Sequence, residues 1–160
     1  MTVSIRQLRN GDLRDVLAIE REIFPEDAWT EQMFADELGE PTKRYYIVAE
    51  ADGTIAGYAG LRAGTGNRGD VQTIAVRADR QGEGIGTALL TDLIATAVAR
   101  NCHEIFLDVR AENARARLFY RRNGFTEVGM RPGYYGPSAD AIVMRLRFPR
   151  RRTTGKAATR

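Results

Sequence analysis

Between Arg80 and Leu90 the chain reads RQGEGIGTALL, with glycines at 82, 84 and 86 directly before an aliphatic run. Missing Cβ atoms let successive backbone N–H groups converge, and a helix start adds positive potential, so the pattern suits an anion, in particular a phosphate-bearing ligand. Two familiar phosphate loops do not fit. No Lys-Ser/Thr follows the glycines, as a P-loop requires, and the 82-84-86 spacing with Thr87 is not G-x-G-x-x-G. A dinucleotide loop also turns directly off its strand, whereas Arg77 to Gln81 intervene here after Val76. A glycine-rich turn without a ligand is the remaining alternative. The single cysteine, Cys102, stands beside the single histidine, His103. Two ligands are too few for a metal site, and one thiol excludes an internal disulfide. A buried thiol and a strand-edge imidazole are expected, with no metal.

The elements that must position this loop follow from composition and hydropathy period. A chain of 160 residues, 43% hydrophobic and 28% charged, describes one ordinary soluble domain. No apolar run approaches the roughly 18 residues of a membrane span. Arg6, Arg9 and Asp12 stand where a signal peptide needs apolar residues, so a cytoplasmic protein with no membrane partner is expected. The net charge of +3 conceals a division. Five of the 24 basic residues fall in 149–160, PRRRTTGKAATR, which has no acid, and the remaining 19 face 21 acids in 1–148. The expectation is a folded domain over 1–148 and a basic, disordered tail over 149–160. Such a tail holds nucleic acid at most weakly, since no aromatic residue interleaves its charges.

Val3 and Ile5 alternate in a first strand, and Asn10-Gly11-Asp12 offers a cap to a helix with Leu13, Val16, Leu17, Glu20 and Phe24 at helical spacing. Pro25 to Ala28 breaks that helix; Thr30 can cap a second, with Trp29 and Phe34 placed as a hydrophobic staple. Segments 45–51 and 54–61 flank Asp52-Gly53, a two-residue hairpin signal, and 71–76 adds a third strand entered from the Gly64 to Gly69 loop. The pattern then predicts a helix over 86–100, with Leu90, Leu93, Ile94, Ala97 and Val98 on one face, and a strand over 104–109. A helix from Asn113 to about Asn123 comes next, ended by Gly124. FTEVGMR and DAIVMRLRF are two last strands, separated by a loop from Pro132 to Pro137. The order β-α-α-β-β-β-α-β-α-β-β is that of an α/β domain with a mixed sheet.

Several of these segments together carry a resemblance. Gln81-Gly82-Glu83-Gly84-Ile85-Gly86 resembles the Q/R-x-x-G-x-G/A pyrophosphate loop of the GNAT superfamily of N-acetyltransferases, and the element order is similar to that family's fold over residues 1 to about 148. Ile74-Ala75-Val76, LDVRAEN from Leu107, LFYRRNGF from Leu118, and Tyr134-Tyr135 with Asp140 to Met144 resemble the RimI-type ribosomal-protein alanine N-acetyltransferases. The resemblance implies a single-domain GNAT-like α/β fold, its mixed central sheet splayed between the two central strands and helices on both faces. It also implies acetyl-coenzyme A in that splay. Main-chain groups of Ile74, Ala75 and Val76 would pair with the pantetheine arm, and the backbone of Gly82, Glu83, Gly84, Ile85, Gly86 and Thr87 would hold the pyrophosphate. The Val76 N–H is suited to stabilise a developing oxyanion. Asn113, a helix N-cap on the sequence alone, would also touch the coenzyme.

Read from its neighbours alone, Tyr120 extends the apolar Leu118-Phe119 face; the resemblance makes it the general acid for the departing thiolate, for which a phenol with pKa near 10 is competent. Asp108 stands where the branch carries glutamate as general base. Phe106 and Asp108 share the strand face opposite Ile105, Leu107 and Val109, so a carboxylate does leave the sheet, one methylene short. Action through a bridging water is expected, with a purely structural carboxylate as the alternative. An α-amine with pKa ~8 is roughly a tenth neutral at pH 7 and needs a weaker base than a lysine near 10.4. Tyr134 and Tyr135 are implied to bind an extended peptide, and Glu26 and Asp27 could attract its ammonium, although exposed turn acids commonly do nothing specific. The function implied is direct acetyl transfer to the α-amine of a protein N-terminus, alanine on a small-subunit ribosomal protein. Alternatives are transfer to lysine or a small amine, and a coenzyme A-binding module with little turnover.

Overall fold

Strand alternation and three hairpins build one seven-stranded sheet, in the order β1-β2-β3-β4-β5-β7-β6. The computed structural model describes residues 2–149 except Thr65, so the basic tail expected over 149–160 lies, beyond Pro149, outside the described residues. The strands are β1 Val3–Gln7, β2 Arg44–Ala51, β3 Thr54–Arg62, β4 Arg68–Val76, β5 Glu104–Arg110, β6 Thr126–Gly136 and β7 Ala139–Arg147. Between them run helices α1 Leu13–Ile23, α2 Glu31–Leu38, α3 Ile85–Ala99 and α4 Ala114–Arg122. The element order is the expected one. Asp52 and Gly53, at φ 54° and 81°, make the β2–β3 turn, the left-handed pair that a tight hairpin requires.

Every strand pairing is antiparallel except β4 with β5, and there the ladder joins only Arg68–Asp70 to Glu104–Phe106. Beyond Asp70 the two strands part. Helices cover both faces. On one, Leu89, Leu90, Leu93 and Ala97 of α3 pack with Ile47, Ala59 and Leu61 and with Ile105, Leu107 and Val109 of β5. On the other, Val16 and Leu17 of α1 and Phe34 of α2 pack on Val48, Tyr58 and Ala75. Thr30 caps α2 through the Met33 N–H (3.2 Å), and the Trp29 and Phe34 rings meet with centroids 5.1 Å apart, so the staple forms as expected.

Three local expectations change. The segment over Pro132 to Pro137 is not a free loop: β6 runs to Gly136, and its ladder with β7 breaks between Arg131 and Gly136. The extra residues bulge from the strand opposite Asp140, whose carboxylate accepts the Gly133 N–H at 2.8 Å. In α3 the buried face includes Leu89, while Val98 is exposed. That helix is apolar nearly all round, and period alone marks its face poorly. Asp12 does not cap α1; it ends a 3-10 turn, Asn10–Asp12, accepts the Arg9 N–H and pairs with Arg6 at 2.8 Å.

Candidate active site

The parting of β4 from β5 leaves the outer edge of β4 without a strand partner after Asp70. Which of its main-chain groups face that gap follows from alternation. The Arg77 N–H donates to the Ala56 carbonyl at 2.8 Å, so Arg77, and two residues earlier Ala75, direct their main chain toward β3. Ile74 and Val76 therefore face the gap. Ala75 does not: its main chain is spent on β3 and its side chain is buried against α1. The Val76 carbonyl accepts the Gln81 amide at 3.0 Å, which leaves the Val76 N–H as its group toward the gap.

The glycine loop ends at the same gap. Gly82 and Gly84 sit at φ +84° and +86°, the left-handed region that a side chain resists. Gly86 serves differently. A Cβ there would meet the Phe119 ring carbons at 3.4 and 3.5 Å, an ordinary contact, so the first turn of α3 lies against α4 with room for no more than a methyl group. Gly84 is the N-cap of α3 and offers no side chain, so the first-turn N–H groups of Ile85, Gly86 and Thr87 have no cap. Ile85 contributes backbone only, since its side chain is core. The Glu83 carboxylate is held by Arg80, which also reaches Asp52. Uncapped amides, two left-handed glycines and a free strand edge fit a pyrophosphate followed by an extended, amide-containing arm.

Asn113 caps α4, its Oδ1 accepting the Ala116 N–H at 3.1 Å. Tyr120 is buried between Phe119 and Phe125, ring centroids 5.3 and 5.7 Å away. Its hydroxyl has no hydrogen-bond partner among the described residues and is not sealed from solvent. Burial, reinforced by the nearby Tyr135, pushes its pKa up from 10, so the phenol keeps its proton throughout the neutral range.

Asp108 leaves the opposite face of the sheet from Tyr120, in a cleft of about 390 Å³ shared with Tyr134. Its Oδ1 accepts from Arg131 Nε at 3.0 Å, and among the described residues Oδ2 carries no hydrogen bond. Tyr135 links the two halves. Burial, and then the Asp108 carboxylate, push its pKa up to about 12, while it in turn acts on Tyr120. The Tyr134 and Tyr135 rings meet edge to face at 4.9 Å, and both lie in the bulge of β6. Arg110, at the end of β5, covers the Tyr135 ring at 4.8 Å and binds Asp27 at 2.6 Å and Glu26 at 3.4 Å. The two turn acids are thus committed to a guanidinium.

Sequence reasoning missed three of these contacts. Arg131 as the partner of Asp108 and Arg110 as the partner of Asp27 join strands to distant segments and have no local signature. Glu20, only 2% exposed, had one: it stood at a core position of α1. Its carboxylate accepts the Trp29 N–H at 2.9 Å and the Tyr58 hydroxyl, fixing the turn between α1 and α2. Cys102 is buried, and burial raises its pKa, as expected of an inert thiol; His103 is exposed beside β5. Among the described residues no group of three metal-ligating side chains converges, and no helix is long and apolar enough to cross a membrane.

A model of the acetyltransferase (GNAT) family matches residues 12–125. The N-alpha-acetyltransferase RimI of Mycobacterium tuberculosis is 37% identical over 148 residues, covering 89% of this chain and 91% of the relative. The ribosomal protein bS18-alanine N-acetyltransferase of Escherichia coli is 33% identical, covering 89% of this chain and 96% of that one. A crystal structure of the ribosomal-protein-S18-alanine N-acetyltransferase from E. coli superposes with a TM-score of 0.82, over 95% of this chain and 97% of that chain, at 30% identity.

Proposed function

We propose, since this chain belongs to the acetyltransferase (GNAT) family and is an N-acetyltransferase, that its acceptor is the α-amine of a protein N-terminus and its acetyl donor acetyl-coenzyme A. The target is an N-terminal alanine of a small-subunit ribosomal protein. The end-to-end likeness to the E. coli alanine N-acetyltransferase carries this reading, because it spans the acceptor side of the molecule, including β6 and its tyrosines, as well as the glycine loop.

Acetyl-coenzyme A supplies an acyl group activated as a thioester. The backbone N–H groups of residues 82–87 and the uncapped start of α3 are suited to its pyrophosphate, and Ile74 and Val76 to its arm. The Val76 N–H is placed to donate to oxygen as negative charge develops there. Asp108, reaching through Oδ2 and a water, takes the proton of the incoming ammonium. Tyr120, whose buried phenol keeps its proton, returns a proton to the departing sulfur. Tyr134 and Tyr135 flank the acceptor. Direct transfer, with both substrates bound together, needs no protein nucleophile, and Cys102 lies buried beneath β4, its Sγ 3.3 Å from where a Gly69 Cβ would stand.

One observation favours a second reading, in which the cleft binds coenzyme A with little turnover: Arg131 already ties the Asp108 carboxylate. Released thiol, measured with a free N-terminal alanine peptide, an N-capped lysine peptide and a free small amine, separates the readings. The proposal expects release with the first alone. Release with the lysine peptide or small amine instead moves the acceptor class, and a thermal shift with acetyl-coenzyme A without any release identifies a binder.

A further inference from the structure

An acid stands inside the loop that suits an anion. Glu83 lies between Gly82 and Gly84, the two left-handed glycines, and from Gly82 to Ala99 the chain has no basic residue to offset it. The residues that touch the loop do not redress the balance. Arg77 is paired with Asp79 at 2.7 Å, the Glu22 carboxylate of α1 accepts the Ala78 N–H at 3.0 Å, and Arg80 is shared between Glu83 and Asp52. Two cations, Arg77 and Arg80, thus stand among four acids, Glu22, Asp52, Asp79 and Glu83. Such surroundings repel a polyanion, which the backbone amides of the loop must then hold.

Arg80 is placed to reduce that repulsion. Its Nε and Nη2 both reach Glu83 Oε1 at 3.2 Å, and Nη2 reaches Asp52 Oδ2, in the β2–β3 turn, at 3.1 Å. Its main chain is fixed as well. Ala78–Arg80 form a 3-10 turn in which the Arg80 N–H donates to the Arg77 carbonyl at 2.9 Å, and the next side chain, Gln81, donates to the Val76 carbonyl at 3.0 Å. The guanidinium is therefore held from both ends, by β4 through the backbone and by the hairpin through Asp52.

We propose that Arg80 is a positioning residue for the coenzyme loop: it neutralises Glu83 and draws its carboxylate toward the β2–β3 turn, away from the amides that receive the pyrophosphate. The inference rests on the coenzyme A reading and deepens it, by naming the residue that makes an acid tolerable in the loop. Any phosphate bound by this loop lies within the Debye length of about 10 Å from Glu83, so an unneutralised carboxylate there is felt. Arg80 acts on the coenzyme through Glu83.

Calorimetric titration with coenzyme A at low salt tests this on the parent protein, Arg80→Gln, Glu83→Gln and the double variant. The expected result is binding about fivefold weaker in Arg80→Gln, at least as tight as the parent in Glu83→Gln, and within about twofold of the parent in the double variant. The loss in Arg80→Gln shrinks as salt is added. Parental affinity in Arg80→Gln overturns the inference. A double variant as weak as Arg80→Gln also overturns it, because a guanidinium acting directly on a phosphate is not replaced by removing Glu83. Weaker binding in Glu83→Gln does the same, and it stays readable if Arg80→Gln fails to fold. All three results leave the coenzyme reading intact, whereas failure of the parent protein itself to bind coenzyme A overturns both.

Discussion

The buried carboxylate of Glu20 offers a prediction whose size follows from the structure. It is 2% exposed and accepts from the Trp29 N–H and the Tyr58 hydroxyl, which joins α1 both to the turn before α2 and to the centre of β3. Glu20→Ala strands both donors. Each buried donor without a partner costs about 1–3 kcal/mol, so the two cost about 2–6 kcal/mol, offset in part by removing a carboxylate that itself resists burial. A net loss of about 3 kcal/mol corresponds to a fall in Tm of about 6–12 °C for a domain of this size. Glu20→Gln keeps the volume and one acceptor, and it isolates the charge. Burial raises the Glu20 pKa above its ordinary 4.5. Folding therefore favours the protonated form, and that stabilisation is complete below about 4.5 and disappears as pH rises through the folded-state pKa. Glu20→Gln should accordingly cost most at acid pH and least at pH 8. Urea unfolding followed by circular dichroism from pH 4 to 8 reads both effects. A Glu20→Ala variant as stable as the parent, or a Glu20→Gln penalty that grows with pH, refutes the reasoning.

Further outcomes rest on the same geometry. Tyr120→Phe removes the proton donor without disturbing its ring packing, so kcat should fall by about 10²–10⁴ while the melting temperature stays nearly constant. Because the Tyr120 pKa lies above 10, the parent enzyme should show no alkaline loss of activity from this group below pH 10. Asp108→Asn should reduce acetyl transfer more at pH 6 than at pH 9, where an α-amine of pKa ~8 is already neutral; full transfer across that range removes Asp108 from the mechanism. Gly84→Ala forces a side chain into φ +86° at the N-cap of α3, and calorimetry should find weaker binding of coenzyme A with about 1–2 kcal/mol lost in stability.

Local patterns made the architecture legible. The Asp52-Gly53 turn, the Thr30 cap with its Trp29–Phe34 staple, and the glycines before α3 are each determined by residues close in sequence, and each stands where the periods place it. Hydropathy failed where it carried no contrast, as in α3, and where strand pairing overrode turn chemistry, as in the bulged β6. At the candidate site, residue types and resemblance singled out Asp108, Tyr120 and the tyrosine pair. The ion pairs around them were not legible, because Arg131–Asp108 and Arg110–Asp27 join residues 23 and 83 positions apart.

The central claim is that the acetyl group goes to an α-amine. One peptide carrying both a free N-terminal alanine and an internal lysine, incubated with the protein and acetyl-coenzyme A, tests it by tandem mass spectrometry. The account predicts a single acetyl group on the alanine nitrogen. Acetylation of the lysine side chain with the N-terminus left free would contradict it.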